Sequence, residues 1–164
     1  MDPGSVLATI AQVAAAFVGF TGVIFAVGRF SQGGWRGPER EALVHLLLPS
    51  LVVLFMALFG LVASTGIESD VRLWRVCNGM LAVFHAPLVS RALWLSLRAD
   101  VVEPVPLRFV LIPVGYLSTA MSAVAAAGML QVYALMIFTG GLVWFLLVAA
   151  IQFVMLVMPD AHAA

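Results

Sequence analysis

Residues 109–159 read FVLIPVGYLSTAMSAVAAAGMLQVYALMIFTGGLVWFLLVAAIQFVMLVMP, and these 51 consecutive positions contain no Asp, Glu, Lys or Arg. In water such a run would expose a large apolar surface, whereas a bilayer accepts it if each backbone amide is hydrogen-bonded within a helix. The whole chain shares this character, with 63% hydrophobic residues and a mean hydropathy of +1.12. The sequence therefore predicts an all-α integral membrane protein.

The run at 109–159 is too long for one crossing of a membrane. As a single helix it would extend about 75 Å, whereas a hydrocarbon core is about 30 Å thick. Residues 128–131 offer the turn at which it folds back, and the segment Pro104-Val105-Pro106 ends the preceding helix and begins a loop. We therefore predict one helical bundle, residues 1–164, with no soluble domain and five transmembrane helices at 5–28, 42–66, 73–97, 107–127 and 132–158.

The third predicted helix is the least apolar of the five, because only 15 residues separate Arg75 from Arg91. Trp74 and Trp94 support it nevertheless. At about 1.5 Å per residue they lie about 30 Å apart along a helix, which matches the distance between the two interfaces where tryptophan is enriched. We expect both side chains to lie at a membrane interface.

Arginine distribution predicts the orientation. The chain has no lysine, and its eight arginines balance eight acidic residues. Cytoplasmic loops of membrane proteins are enriched in Arg and Lys. We therefore expect a protein of the cell membrane with its N-terminus outside and its C-terminus in the cytoplasm. The arginines that favour this orientation are Arg29, Arg36, Arg40, Arg98 and Arg108 on one side, against Arg72 and Arg75 on the other.

Small residues form stripes on the first and fourth predicted helices, because they recur every three or four positions. Such stripes allow membrane helices to approach closely. Two interpretations stay open: packing within one protomer, or packing between copies of a homo-oligomer, where the same surface would also suit the lining of a narrow pore. The predicted packing residues are Ala11, Ala15, Gly19 and Gly22 on the first helix and Gly115, Ser118, Thr119 and Ser122 on the fourth.

A polar seam is predicted on the third helix, formed by Arg75, Asn78 and His85. Ionisable groups inside a membrane are costly, and they usually face a bundle interior or a polar cavity. The functional hypothesis is that this seam contributes to a path or a binding site. The alternative is a neutral histidine that is hydrogen-bonded to the backbone or a hydroxyl of a neighbouring helix, with Ser118, Thr119 and Ser122 of the fourth helix as candidate partners.

A second candidate site lies at the start of the second helix. Glu41 and His45 are four residues apart and so share a helix face near the membrane surface. A carboxylate at this spacing favours the protonated imidazole, which suggests a pH-sensitive pair. The alternative is a pair that only stabilises the helix end.

The fifth helix is interpreted as an outer helix that faces lipid or another subunit, because bulky apolar residues follow Trp144 near its middle. Gly140 and Gly141 mark a kink or a point of close approach. The indole N–H of Trp144 requires a hydrogen-bond partner at that depth.

Several function classes are not supported by the sequence. It contains no nucleophile–base–acid set, phosphate-binding glycine loop or metal-ligand spacing, so we expect neither an enzyme nor a metal site. No basic run is long enough to follow a nucleic-acid backbone. We expect a non-catalytic protein without a cofactor, whose partners are the lipid bilayer and further copies or other membrane subunits. A channel-like, solute-conducting homo-oligomer is the first hypothesis. The alternative is an accessory subunit of a larger membrane complex, including one that holds a haem or a pigment through a single histidine.

Overall fold

The computed structural model describes residues 2–31, 37–67, 69–97 and 105–157. Within these ranges the chain is helical and contains no β-strand. Each of its five α-helices includes a segment that is long and apolar enough to cross a membrane. The predicted all-α fold with five such helices is therefore confirmed. The helices are α1 (Pro3–Ser31), α2 (Gly37–Gly66), α3 (Asp70–Ser96), α4 (Val105–Ala126) and α5 (Ala134–Val157), and a 3-10 turn (Gln131–Tyr133) precedes α5.

The first four helices begin earlier in the chain than the sequence predicted, and local chemistry explains the starts of α1 and α4. α1 begins at Pro3 because the Asp2 carboxylate accepts hydrogen bonds from the backbone N–H groups of Gly4 and Ser5, at 3.3 and 2.9 Å. α4 begins at Val105, so the part of the predicted loop at 105–106 is helical instead. A proline in the first turn of a helix removes no internal hydrogen bond, which is why Pro106 is accommodated there.

The turn between α4 and α5 is where the sequence placed it. α4 ends at Ala126, and Gly128 adopts a φ of +89°, in the left-handed region that favours glycine. The backbone N–H of Gly128 donates to the carbonyl oxygen of Ala125 at 3.0 Å. The long apolar run therefore forms a helical hairpin.

Close contacts show the relative directions of the helices. Gly79 lies beside Ala126 and Val89 lies beside Gly115, so α3 and α4 are antiparallel. Asn78 of α3 bonds to Ala134 at the start of α5. His85 lies seven residues further along α3 and packs on Phe145, which lies eleven residues further along α5, so the two helices run in the same direction. The chain thus alternates in direction through the α3–α4–α5 part of the bundle.

α5 has a central position by its contacts, but it also keeps an exposed apolar side, which includes Met136 and Val143. It packs against each of the other four helices. Phe138 is fully buried, with its ring 6.1 Å from that of Trp74 and also beside Gly60 of α2. α5 is apolar on every face, so its residues suit both the side that packs against the other helices and the side that is exposed.

Trp74 and Trp94 have different environments. Trp94 is 51% exposed, as expected for a side chain at a membrane interface, but Trp74 is only 8% exposed. The Trp74 ring packs inward on Phe138. Trp74 therefore contributes to the core of the bundle.

Candidate functional site

The three residues of the predicted seam lie on α3, and each has a different role. Arg75 is exposed, whereas Asn78 and His85 are buried. Asn78 and His85 are two helical turns apart on one face, directed at α5. The seam is therefore a polar stripe inside the bundle with a cationic group at its end.

Arg75 caps the end of α4. Its Nε donates a hydrogen bond to the carbonyl oxygen of Ala126 at 3.0 Å, and a terminal guanidinium nitrogen donates to that of Ala127 at 3.5 Å. The last carbonyl groups of a helix have no partner within the helix and carry partial negative charge, so a cation stabilises them. Arg75 therefore joins α3 to the α4–α5 turn.

Asn78 joins α3 to the start of α5. Its Nδ2 donates to the carbonyl oxygens of Trp74 and Ala134, both at 2.8 Å. Because both partners are carbonyl groups, they fix which end of the amide faces them. The Oδ1 atom is buried and has no hydrogen-bond partner among the described residues. One acceptor of this fully buried side chain is thus left available.

His85 is almost completely buried and packs against Phe145, with the ring centroids 4.3 Å apart. Its Nδ1 has no hydrogen-bond partner within the described part of the chain. Of the partners expected on α4, Thr119 donates instead to the carbonyl oxygen of Gly115 at 2.9 Å, and the hydroxyl of Ser122 is also without a partner there. The described contacts therefore do not include the expected bond from Nδ1 to the neighbouring helix.

Three buried polar atoms are thus unpartnered among the described residues: Asn78 Oδ1, His85 Nδ1 and Ser122 Oγ. They belong to α3 and α4 in the part of the bundle that packs around α5. Most buried polar atoms in proteins have a hydrogen-bond partner. Together these three atoms offer both donors and acceptors of hydrogen bonds.

The same part of the bundle is closely packed. A β-carbon placed on Gly141 would lie 2.7 Å from Leu81 Cδ2 and 3.4 Å from Ser118 Oγ. A β-carbon on Gly115 would lie 3.0 Å from a methyl group of Val89 and 3.8 Å from Trp144 Nε1. Gly141 is therefore a point of close approach, as the sequence suggested. At these two levels the helices are too close together for a wide path between them.

The small-residue stripe of α1 faces mostly away from the bundle. Ala11 is buried, but Ala15, Gly19 and Gly22 are exposed. No described atom lies within 4 Å of a β-carbon placed on Gly19 or on Gly22. An adjacent side of α1 faces the bundle, through the buried side chains of Leu7, Ile10, Ala14 and Thr21.

Gln12 is a residue that the sequence reasoning missed. It lies in the apolar segment of α1, it is exposed, and it precedes Ala15 by three residues and Gly19 by seven. No hydrogen bond joins its carboxamide to another described residue, whereas Gln152 of α5 is buried and has a partner. The signal was available: this spacing places the carboxamide on the same helix face as the small residues.

Glu41 and His45 lie on α2, but their side chains are outside the part of the structure that is described. Their predicted pairing therefore stays a prediction. Among the described residues, no group of three His, Cys, Asp or Glu side chains is placed to hold a metal ion.

Comparison with known proteins gives no match to a protein-family model, to a curated protein or to a solved structure. The functional argument therefore depends on the residues and contacts described above.

Proposed function

We propose that the chain is a multi-pass protein of the cell membrane that assembles with further copies of itself and has a channel-like role, conducting a small solute or ion. The observation that carries this proposal is the outward face of α1, where Ala15, Gly19 and Gly22 are exposed and Gln12 lies beside them. In the proposed assembly the α1 helices of adjacent copies lie side by side.

Membrane insertion is supported by the surface of the bundle. Large apolar side chains are exposed on all five helices; Val62, Val83 and Phe109, for example, are 70%, 70% and 76% exposed. Soluble monomers rarely expose extensive apolar patches. Lipid is the solvent in which such a surface carries no penalty.

The proposed orientation, with the N-terminus outside and the C-terminus in the cytoplasm, depends on the arginines. Five arginines lie in or close to the segments that link α1 to α2 and α3 to α4, against two close to the segment that links α2 to α3. The antiparallel packing of α3 and α4 and the matching directions of α3 and α5 are consistent with helices that cross a membrane alternately.

Self-association is supported by the kind of residue that α1 presents. In lipid, apolar area alone does not favour contact between helices, so association depends on close packing and on hydrogen bonds. Gly19 and Gly22 have open space at their β-carbon positions, which leaves room for a second backbone. A glycine face that met only lipid would contribute little packing.

The channel-like role is supported by the polarity of that face. Ser5, Thr9 and Gln12 recur every three or four residues along the first half of α1, and all three are exposed. If α1 lies near the axis of an oligomer, Ser5 and Thr9 face the axis, and Gln12 lies between them and the small residues, where neighbouring α1 helices meet. Because Gly115 and Gly141 mark close contacts inside the protomer, a path between copies fits the contacts better than a path through α3, α4 and α5.

The proposal is tested by purifying the protein in detergent and measuring the mass of the particle by native mass spectrometry. We expect an oligomer of the wild-type chain and a monomer for Gly19→Leu, whose new side chain occupies the contact face. Gly140→Leu is the matched control, because Gly140 of α5 is also exposed, with no described atom within 4 Å of its β-carbon position. This variant should stay oligomeric.

Conduction is then measured in liposomes with K⁺, H⁺ and glycerol as separate probes. We expect wild type and Gly140→Leu to pass at least one probe and Gly19→Leu to pass none. A wild-type monomer, or an oligomer that survives Gly19→Leu, would overturn the proposed assembly. A stable oligomer that passes none of the probes would overturn the channel-like role, and stoichiometric copurification of other membrane chains would favour the accessory-subunit alternative.

A further inference from the structure

We propose that Gln12 forms a hydrogen bond to Gln12 of an adjacent copy, so that α1 pairs with α1 in parallel and at a fixed depth. This inference rests on the proposed function, because it takes the membrane-inserted, self-associating protein as given. In this arrangement one side chain fixes the pairing, and a second copy of this chain occupies the outward face of α1.

Gln12 lies deep within the apolar segment of α1. The apolar segment of α1 is Pro3–Val27, 25 residues. At about 1.5 Å per residue it is longer than the hydrocarbon core, so a centred segment places Gln12 about 10 Å inside the nearer boundary. A glutamine side chain is too short to reach water from that depth.

The Gln12 carboxamide has no hydrogen-bond partner among the described residues of its own chain. Gln12 is exposed on the bundle, and no hydrogen bond joins its side chain to another described residue. The neighbouring polar residue on this face, Thr9, differs in that its hydroxyl already donates to the carbonyl oxygen of Ser5 at 2.9 Å. Burial of an amide in hydrocarbon without a partner is costly, so Gln12 favours any arrangement that supplies one.

The chemistry of the carboxamide selects a second copy as that partner. The group has two N–H donors and one carbonyl acceptor, so two glutamines can each donate to the other. Copies of one chain insert in the same orientation, so their Gln12 side chains lie at the same depth. A different chain would need its own donor and acceptor at that level, whereas a second copy has them already.

The residues around Gln12 permit the approach that this pairing requires. Ala8, Ala15, Ala16 and Gly19 lie three, four or seven residues away and so surround it on the same face. Ala15, Ala16 and Gly19 are exposed, and Ala8 is half-buried. Small neighbours let two backbones come close enough for the carboxamides to meet.

The test measures association in lipid vesicles, by energy transfer between donor- and acceptor-labelled copies as the protein is diluted in lipid. Interhelical hydrogen bonds in membranes contribute about 0.6 to 2 kcal/mol, so Gln12→Leu should raise the dissociation constant roughly 3- to 30-fold. Gln12→Asn, which keeps the carboxamide, should retain part of the affinity. Thr9→Val is the matched control and should leave the constant unchanged, because the hydroxyl that it removes is already bonded within α1.

Proximity is tested separately by disulfide cross-linking in a Cys77→Ala background. Gln12→Cys should form a dimer on oxidation, and Ala14→Cys, which is directed into the protomer, should not. If wild type associates but Gln12→Leu binds as tightly and Gln12→Cys does not cross-link, this inference is wrong and the proposed function stands. If wild type is monomeric in vesicles, the proposed function fails as well.

Discussion

Gly141→Ala is the substitution for which the contacts give the sharpest expectation. The new methyl carbon would lie 2.7 Å from Leu81 Cδ2, whereas two carbon atoms pack best at about 3.5–4.0 Å. Leu81 is fully buried, so its methyl group cannot swing into open space. Ser118 Oγ, at 3.4 Å, limits movement on the other side. Relief therefore requires α3 and α5 to move apart or Leu81 to leave its preferred conformation.

The size of the effect is best measured against Gly140→Ala. Both substitutions add the same methyl group to the same helix, and both gain about 1 kcal/mol of helix propensity. They differ in that no described atom lies within 4 Å of the new carbon at Gly140. Overpacking of a core costs about 1–3 kcal/mol, so Gly141→Ala should be less stable than Gly140→Ala by that amount.

The assay is thermal unfolding of the purified protein in detergent, followed by circular dichroism. For a chain of this length, about 2–4 °C per kcal/mol gives an expected difference in Tm of about 2–12 °C. The double variant Leu81→Ala/Gly141→Ala should lose less stability than the sum of the single variants, because the new methyl partly fills the space that Leu81 vacates. If Gly141→Ala melts at or above the Tm of Gly140→Ala, the close contact between α3 and α5 is refuted.

Substitutions at the three residues of the seam are tested by the same measurement of Tm in detergent. Arg75→Met should destabilise the protein by about 1 kcal/mol, because it removes the hydrogen bond to the carbonyl oxygen of Ala126. Arg72→Met is the control and should have no effect on Tm. Equal changes in Tm for the two variants would contradict the capping role of Arg75. Asn78→Ala should lower the free energy of unfolding by about 1–3 kcal/mol. Asn78→Asp should lower it further, because a carboxylate cannot donate hydrogen bonds to the two carbonyl groups. An Asp variant as stable as the Ala variant would refute the assigned amide orientation. His85→Leu should leave the Tm unchanged or raise it, because the substitution removes a buried Nδ1 that has no hydrogen-bond partner among the described residues. A drop in Tm of more than about 5 °C would contradict this expectation.

Much of the fold follows from the sequence because lipid imposes a strong constraint on it. The existence of the α4–α5 turn was predictable from length, since a run of 51 uncharged residues is too long for one crossing of a bilayer, and residues 128–131 indicated its position. Gly128 then supplies the positive φ that the turn requires. The number of helices depends on the same reasoning and needs no knowledge of the contacts between them.

The arrangement of the helices around one another was less predictable. α5 carries apolar residues on every face, so its sequence does not indicate which face meets the bundle, and its central position appears only from its contacts. The bond from Asn78 to Ala134 joins residues 56 positions apart, and no local pattern predicts it. Long-range contacts of this kind depend on how the helices are rotated about their axes.

The candidate site was predicted in part. His85 and Asn78 are buried, as expected of costly groups in an apolar chain, but the cap formed by Arg75 depends on where α4 ends. Gln12 was not predicted, because a single carboxamide within an apolar segment is a weak signal by residue type alone. A test for polar residues within each small-residue stripe would have found it, since helical spacing alone places it beside Ala15 and Gly19.

The central claim, a bundle that crosses a bilayer with alternating helices, is tested most directly by labelling single cysteines on intact cells in a Cys77→Ala background. Ser69, Gln131 and Leu97 are all exposed and lie at helix ends. We predict that a membrane-impermeant maleimide labels Ser69→Cys and Gln131→Cys on intact cells and Leu97→Cys only after the cells are opened. Labelling of all three positions from the same face would contradict the account.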